Sequence, residues 1–184
     1  LVACFGSFGA GSVAAQTRWS ENGHYYAVVN QVTNWQQAKV LAEGMVFMGV
    51  HGHLATITSE AENTFVTTEL RGTAGAWLGG QQLPGSSEPA GGWQWITGEP
   101  WAYTKWDDGE PNNNYAGRCC TWGTSDDTTE EVLQYHHGGT QWNDLPDSSG
   151  VVTPRFVVEW DVSVQDEDGD GVPDAHWSDA FFAG

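Results

Sequence analysis

The N-terminal part of the chain alternates between the hydrophobic period of a strand and that of a helix. Residues 24–29 are rich in aromatic and β-branched side chains, which is typical of a strand. Apolar side chains then recur at helical spacing, which predicts a first helix: Trp35, Ala38, Leu41, Ala42 and Met45. Asn34, directly before this run, is a typical N-cap because its side chain can accept from an amide of the first turn.

A second strand and a second helix follow in the same order. Residues 52–57 predict a short strand. Ser59 and Glu62 have the spacing of a capping box, in which each side chain accepts from the other residue's backbone amide. The apolar face of the helix that begins there consists of Phe65, Val66 and Leu70.

The remainder of the chain is rich in Gly and Trp and contains only short hydrophobic runs. Four of these runs predict strands: 76–79, 93–96, 131–135 and 155–160. Two helices followed by strands and long loops indicate one α+β domain, for which we take residues 19–161. The 11 Trp residues supply bulky side chains for its core.

The charge of the chain limits its partners. It has 24 acidic residues against 6 Lys and Arg, a formal net charge of −18 at pH 7. Because like charges repel, nucleic acids and anionic membrane surfaces are poor partners, whereas calcium is a natural counterion. The sequence shows no nucleophile with a paired base, no phosphate-binding loop and no zinc motif, so it does not predict an enzyme.

The first 15 residues form an apolar, uncharged segment. It is shorter than the roughly 20 apolar residues that span a bilayer, so membrane insertion is not expected. Small residues before Gln16 fit a signal-peptidase site, so we interpret residues 1–15 as the remnant of a signal peptide. This predicts a secreted or cell-surface protein. The two Cys residues beyond this segment, Cys119 and Cys120, are adjacent and cannot form a disulfide framework.

Two short clusters combine acidic and amide side chains, Glu110-Pro111-Asn112 and Trp142-Asn143-Asp144. We expect each cluster to lie on a turn. Their side chains offer oxygen atoms, and calcium takes about 6–8 oxygen ligands. The sequence therefore predicts that the two turns converge on one calcium ion.

These clusters, in this order, resemble the sugar-binding calcium site of C-type lectin domains. Further segments resemble landmarks of that family in the family's order: 52–55, 76–79, 92–100 and 157–160. The resemblance implies an α+β fold with two helices, small antiparallel sheets and a long calcium-binding loop. The positions of the usual disulfides hold no Cys, so disulfide-poor relatives of bacterial type are the closer match.

The resemblance also implies a fifth calcium ligand, an acidic residue just before an apolar strand. Glu130 fills that position if residues 115–129 are an insertion, and Glu131 is the alternative. The implied ligands are the side chains of Glu110, Asn112, Glu130, Asn143 and Asp144, together with the main-chain carbonyl of Asp144. Two hydroxyls of a sugar would then complete the coordination of the ion.

Within this family, Glu-Pro-Asn is similar to the mannose-type pattern, which implies equatorial 3- and 4-hydroxyls as in mannose, glucose, N-acetylglucosamine or fucose. The first hypothesis is therefore a secreted, calcium-dependent carbohydrate-binding module. The alternative is an adhesive or structural domain that uses calcium for rigidity and binds protein. Because single lectin sites bind weakly, a homo-oligomer or a larger multidomain chain would supply multivalency.

The acidic C-terminal tail, residues 162–184, contains the opening of an EF-hand loop. Its predicted calcium ligands are Asp166, Asp168 and Asp170, with Asp174 to complete the loop. Position twelve is Trp177 rather than Glu, so the segment resembles the short calcium loops of thrombospondin type 3 repeats or dockerins. A flexible acidic linker that binds no ion is the alternative.

The histidines show no metal-binding motif. His51 and His53 share a face of a predicted strand but have no carboxylate or Cys partner nearby in the sequence. Their spacing therefore predicts no transition-metal site.

Overall fold

The computed structural model describes residues 12–114 and 130–162. Its helices are α1 (Trp35–Gly44) and α2 (Glu60–Glu69). Its strands, in chain order, are β1 (Ser12–Val13), β2 (Thr17–Arg18), β3 (Tyr25–Thr33), β4 (Val46–Phe47), β5 (Val50–His51), β6 (His53–Leu54), β7 (Ala76–Gln82), β8 (Trp93–Trp95), β9 (Val132–Tyr135), β10 (Trp142–Leu145) and β11 (Thr153–Trp160). The predicted α+β class with two helices is confirmed. Neither helix in these ranges has the length and apolar character needed to cross a membrane.

Both helices begin at the predicted caps. The side chain of Asn34 accepts from a first-turn amide of α1 at 2.9 Å, and Ser59 Oγ accepts from the backbone N–H of Glu62 at 3.1 Å. The reciprocal half of the predicted capping box does not form. The Glu62 carboxylate instead accepts from the Thr58 amide and from the Tyr26 hydroxyl, each at 2.6 Å. Glu62 therefore ties α2 to strand β3.

A nine-stranded sheet organises the domain in the order β1-β3-β11-β7-β9-β10, with β2, β6 and β8 as side branches. Strand β7 pairs with β8, β9 and β11, and for this reason most strands join one sheet. Its pairing with β11 is parallel, whereas β11 and β3 are antiparallel. The β3–β11 pair joins the first long strand to the last one. Strands β4 and β5 form a separate antiparallel pair.

The two helices cover opposite faces of the sheet, because successive side chains of a strand point to opposite sides. Along β3, Val28 packs in the core cluster that includes Val66 of α2. The next residue, Val29, packs in the cluster that includes Trp35 of α1. The core expected from the Trp content includes four buried Trp residues: Trp77, Trp93, Trp95 and Trp142.

The long segment after β8, described as far as residue 114, lies along strand β10. The Lys105 carbonyl accepts from the Trp142 amide at 2.7 Å, and the Asp107 amide donates to the Trp142 carbonyl at 2.9 Å. The rings of Trp101 and Trp106 each lie 5.9 Å from the Trp142 ring. The sequence predicts a turn at residues 142–144. That prediction is wrong, because these residues form strand β10, for which β9 and the long segment supply main-chain partners.

Candidate functional site

Glu110 lies in a tight turn of the long segment. Its backbone N–H donates to the carbonyl of Asp107 at 3.0 Å, and Gly109 has a φ of +91°, which side-chain-bearing residues rarely adopt. The Glu110–Pro111 peptide bond is cis, as X–Pro bonds can be. Two residues after Glu110, the chain meets strand β10 at Asp144.

Asp144 anchors this loop. It lies on β10 opposite Leu133 of β9 and is only 1% exposed. Its carboxylate accepts from the backbone N–H of Asn112 at 3.2 Å and from that of Asn113 at 3.0 Å. Because hydrogen bonds to an ionised group are stronger than neutral ones, Asp144 fixes the position of the loop backbone.

Glu130 meets the same loop just before strand β9. Its carboxylate accepts from the Asn114 amide at 2.7 Å, and its own amide donates to Asn113 Oδ1 at 2.6 Å. The alternative ligand, Glu131, accepts from the Asp147 amide at 3.4 Å. Successive side chains of an extended segment point in opposite directions. The structure thus directs Glu130 toward the loop and Glu131 toward Asp147.

Asn113 and Asn114 belong to this site, although the sequence analysis missed them. Asn113 has a φ of +54°, a left-handed conformation that Asn tolerates better than most residues. This turn presents its side chain to Glu130, while the Asn114 amide reaches the Glu130 carboxylate. The signal in the sequence was the run of three Asn after Pro111, because short amides favour tight turns.

Asn143 lies beside Asp144 on β10 and is 9% exposed. Its Nδ2 donates to the main-chain carbonyl of Asp144 at 2.6 Å, so this carbonyl, the expected sixth ligand, already accepts one hydrogen bond. The Oδ1 of Asn112 accepts from the Asn114 amide at 2.7 Å. Both predicted amide ligands therefore lie close to the carboxylate that anchors the loop.

The carboxyl groups of Glu110, Glu130 and Asp144 lie close enough together to interact electrostatically. Burial, followed by the neighbouring Asp144 carboxylate, raises the pKa of Glu110 to about 7, and the same two causes raise the pKa of Glu130 to about 8. Glu110 Oε2 is buried and has no hydrogen-bond partner among the described residues. Within those ranges, none of the three forms an ion pair with Lys or Arg.

The donor set fits calcium. Calcium is a hard cation that binds carboxylate, amide and main-chain oxygens. This site offers carboxylate and amide oxygens from the long loop, from strand β10 and from the residue that precedes β9 by two positions. A divalent ion would neutralise part of the crowded charge and would supply the missing partner of Glu110 Oε2. The predicted ligands that the structure brings near one another are Glu110, Asn112, Glu130, Asn143 and Asp144.

The four predicted ligands of the tail site lie outside the described ranges: Asp166, Asp168, Asp170 and Asp174. Cys119 and Cys120, which fall in the predicted insertion 115–129, also lie outside them.

Comparison with known proteins identifies relatives for most of the chain. A family model described as the lectin C-type domain matches residues 31–149. The chain is 33% identical over 140 residues to halomucin from Haloquadratum walsbyi, a match that covers 75% of this chain and 1% of halomucin. It is 31% identical over 115 residues to the hepatic lectin of Gallus gallus, covering 61% of this chain and 50% of that protein. The chain therefore spans half of these relatives' length or less.

The fold is also similar to a solved structure, the C-type carbohydrate-recognition domain of cow CD23. The match has a TM-score of 0.55 at 24% identity and covers 74% of this chain and 86% of that domain. The predicted C-type lectin-like α+β fold with two helices is thereby confirmed. The expectation of small antiparallel sheets is wrong, because β7 pairs in parallel with β11 and joins most strands into one nine-stranded sheet.

Proposed function

The chain belongs to the C-type lectin domain family, and from this premise we propose that it is a calcium-dependent carbohydrate-binding module. Domains of this family are non-enzymatic binding modules, and they generally bind calcium. Members bind carbohydrates or glycans. The proposed calcium ligands, called the calcium cage below, all present side-chain oxygen beside the long loop: Glu110, Asn112, Glu130, Asn143 and Asp144.

The observation that carries the proposal is the crowding of three carboxyl groups in the cage, none of which forms an ion pair with Lys or Arg in the described part of the chain. A buried polar atom without a partner is unfavourable in a folded protein, and Glu110 Oε2 is such an atom among the described residues. The nearby carboxylates of Glu130 and Asp144 increase the local negative charge. A bound calcium ion would satisfy both conditions, because it provides positive charge and accepts oxygen ligands.

Sugar recognition follows from the same ligands. Two neighbouring hydroxyls of one sugar ring would complete the calcium coordination, while each donates to a carboxylate and accepts from an amide N–H. Glu110 and Asn112 offer one such acceptor and one such donor on the same turn. Because the order Glu-Pro-Asn is similar to the mannose-type pattern, the proposed ligands are mannose, glucose, N-acetylglucosamine or fucose units.

Calorimetry tests the sugar site directly. The purified domain would be titrated with mannose in the presence of calcium and again with excess EGTA. Heat that appears only with calcium supports the proposal. Calcium uptake without heat from any of the four sugars would contradict it, and so would sugar binding that EGTA leaves unchanged.

A double substitution tests the assignment of the cage. Glu110→Gln combined with Asn112→Asp exchanges the acidic and amide positions of the turn. We expect mannose binding to be lost or preference to move toward galactose, as the family pattern implies. Glu131→Gln is the matched control, because its carboxylate accepts from the Asp147 amide. Unchanged mannose binding in the double variant would contradict the assignment.

A second candidate is an adhesive or structural domain in which calcium only orders the loop. The contacts of Asp144 with the backbone amides of Asn112 and Asn113 favour it, because a calcium ion held by Asp144 would act on the residue that links the loop backbone to the sheet. Two results together would support this candidate. Calcium would raise the thermal midpoint of unfolding, and simple sugars would not displace a bound protein partner.

We also propose the domain limits and the location as the sequence indicates them. Residues 19–161 would form the lectin domain, residues 1–15 a signal-peptide remnant, and residues 162–184 a separate calcium-binding tail of a secreted or cell-surface protein. Because β1 and β2 pair with β3, the structure adds residues 12–18 to the sheet of the domain, and a remnant would end before Ser12. Deleting residues 162–184 should remove one bound calcium and leave mannose binding intact. Loss of mannose binding on this deletion would contradict the two-module organisation.

A further inference from the structure

A second cluster of ionisable side chains lies on the sheet, at the ends of three strands. Glu159 of β11 pairs with His53 of β6 and with Tyr26 of β3. Paired residues share a face of a sheet, and so do residues two apart on one strand. His24, two residues before Tyr26, and Asp161, two residues after Glu159, therefore project to the same side.

We name this group the histidine–carboxylate cluster: His24, His53, Glu159 and Asp161. The His24 Nδ1 atom lies 2.7 Å from Glu159 Oε1 and 3.3 Å from Asp161 Oδ1. These three donor atoms all lie within 4.8 Å of one another. His53 Nε2 lies 3.1 Å from the same Asp161 oxygen.

The hydrogen bond between His53 Nδ1 and a backbone carbonyl determines which nitrogen of this ring can bind a metal. Its Nδ1 lies 2.9 Å from the Leu54 carbonyl, and a carbonyl can only accept, so Nδ1 carries the hydrogen. In the neutral ring the lone pair is then on Nε2, the atom that faces Asp161. Metal-binding histidines are commonly held in this way, with one nitrogen on a backbone carbonyl and the other on the metal.

Glu159 is likewise held in place by partners that would remain when a metal binds. Its Oε1 accepts from the Tyr26 hydroxyl at 2.7 Å, and its Oε2 accepts from the Thr56 amide at 2.9 Å. The carboxylate is buried, with 3% of the side chain exposed, whereas 26% of His24 and 52% of Asp161 are exposed. The cluster therefore has a fixed buried ligand and an open side toward solvent.

We propose that the histidine–carboxylate cluster binds a divalent transition-metal ion of the zinc class. Imidazole nitrogen together with carboxylate oxygen is a typical donor set for zinc. His24, Glu159 and Asp161 supply three donor atoms within 4.8 Å of one another, and His53, whose Nε2 contacts the same Asp161 oxygen, would move toward the ion to take the fourth position. Two carboxylates balance the charge of the ion, and the two imidazoles ligate as neutral rings. The calcium cage differs in kind, because it contains only oxygen donors.

The proton content of the cluster sets the conditions for the test. The hydrogen bond to Glu159 raises the pKa of His24 despite the opposing effect of burial. Burial lowers the pKa of His53, but the hydrogen bond to Asp161 and the charge of Glu159 outweigh it and raise the pKa to about 9. Protons therefore compete with the metal, and binding should be measured at mildly alkaline pH.

The full chain would be titrated with Zn²⁺ by calorimetry in the presence of excess calcium, which occupies oxygen-only sites. We expect one zinc site, and at least about a tenfold loss of zinc affinity in both His24→Gln and Asp161→Asn. His51→Gln is the matched control, because His51 is exposed and its Nδ1 contacts the Glu43 carbonyl outside the cluster. The control should retain wild-type affinity.

Three results would overturn the proposal: no zinc binding by the wild type, unchanged affinity in both cluster variants, or an equal loss in His51→Gln. Circular dichroism of each variant, with thermal midpoints, separates loss of the site from loss of the fold. As a spectroscopic check, Co²⁺ in place of Zn²⁺ should give visible absorption bands of a nitrogen–oxygen site, and these should disappear in His24→Gln. Asp144→Asn, which alters only the calcium cage, should leave zinc binding unchanged, so failure of one site is distinguishable from failure of the other.

Discussion

Calcium and protons should compete for the cage, and lowering the pH is the perturbation that reveals this. Without an ion, burial and the Asp144 carboxylate raise the pKa of Glu110 to about 7 and that of Glu130 to about 8. A calcium ligand must be deprotonated, so each bound ion displaces the protons that these two groups carry. Calcium affinity should therefore fall as the pH falls.

The size of the effect follows from the two pKa values. If both carboxylates ligate, calcium binding at pH 7 releases roughly 1.4 protons. The apparent calcium affinity should then fall about tenfold from pH 8 to pH 7 and about fiftyfold more from pH 7 to pH 6. Carboxylates with an ordinary pKa near 4.3 would give almost no change over this interval.

Calorimetric calcium titrations at pH 8, 7 and 6 give this slope, and buffers of different ionisation enthalpy give the proton count. Trp fluorescence provides an independent readout, because Trp101 and Trp106 pack against Trp142 beside the cage. In Glu130→Gln, calcium affinity should drop and the pH dependence should shrink. Glu131→Gln should behave like the wild type.

A calcium affinity that is equal at pH 8 and pH 6 would refute the reasoning, since calcium binding would then displace no protons from Glu110 and Glu130. A larger loss in Glu131→Gln than in Glu130→Gln would show that the other acidic residue faces the ion. Binding of calcium by the tail would add a site without this steep pH dependence, so the titrations should be repeated on a chain lacking residues 162–184.

Three further predictions concern stability. Replacing the N-cap Asn34 by Ala should lower the free energy of unfolding by about 1 kcal/mol in urea denaturation. Gly79→Ala should cost about 1–3 kcal/mol, because its Cβ would lie 2.5 Å from the Leu54 carbonyl oxygen, whereas Gly44→Ala, with open space, should not destabilise. In metal-free protein, the raised pKa of His53 stabilises the fold below about pH 6.5. This contribution should disappear as the pH rises through about 9. His53→Gln should therefore remove this part of the pH dependence of the free energy of unfolding.

The helices and their starts could be predicted from the sequence because their causes are local. The spacing of apolar residues sets the face of α1, and Asn34 satisfies an amide only three residues away. The Ser59 half of the second cap formed for the same reason. The Glu62 half did not, because Tyr26, 36 residues earlier in the chain, provides a competing partner for that carboxylate.

The two acid-amide clusters could also be found in the sequence, since oxygen-rich short motifs suggest calcium whatever the fold around them. Their convergence, however, depends on the sheet. Strand β10 forms because β9 and the long loop both supply backbone partners to it, and this pairing brings Asp144 to the amides of Asn112 and Asn113. The choice between Glu130 and Glu131 is likewise a matter of which side chain of an extended segment faces the loop.

The histidine–carboxylate cluster could not be found in the sequence at all. His24 and Glu159 are 135 residues apart, and His53 and Asp161 are 108 residues apart. Only the register of β6 and β3 on β11 places these four side chains on one face. The sequence by itself determined the local elements and the donor chemistry. Long-range strand pairing decided which donors meet, because hydrogen bonds between strands fix relative position regardless of separation along the chain.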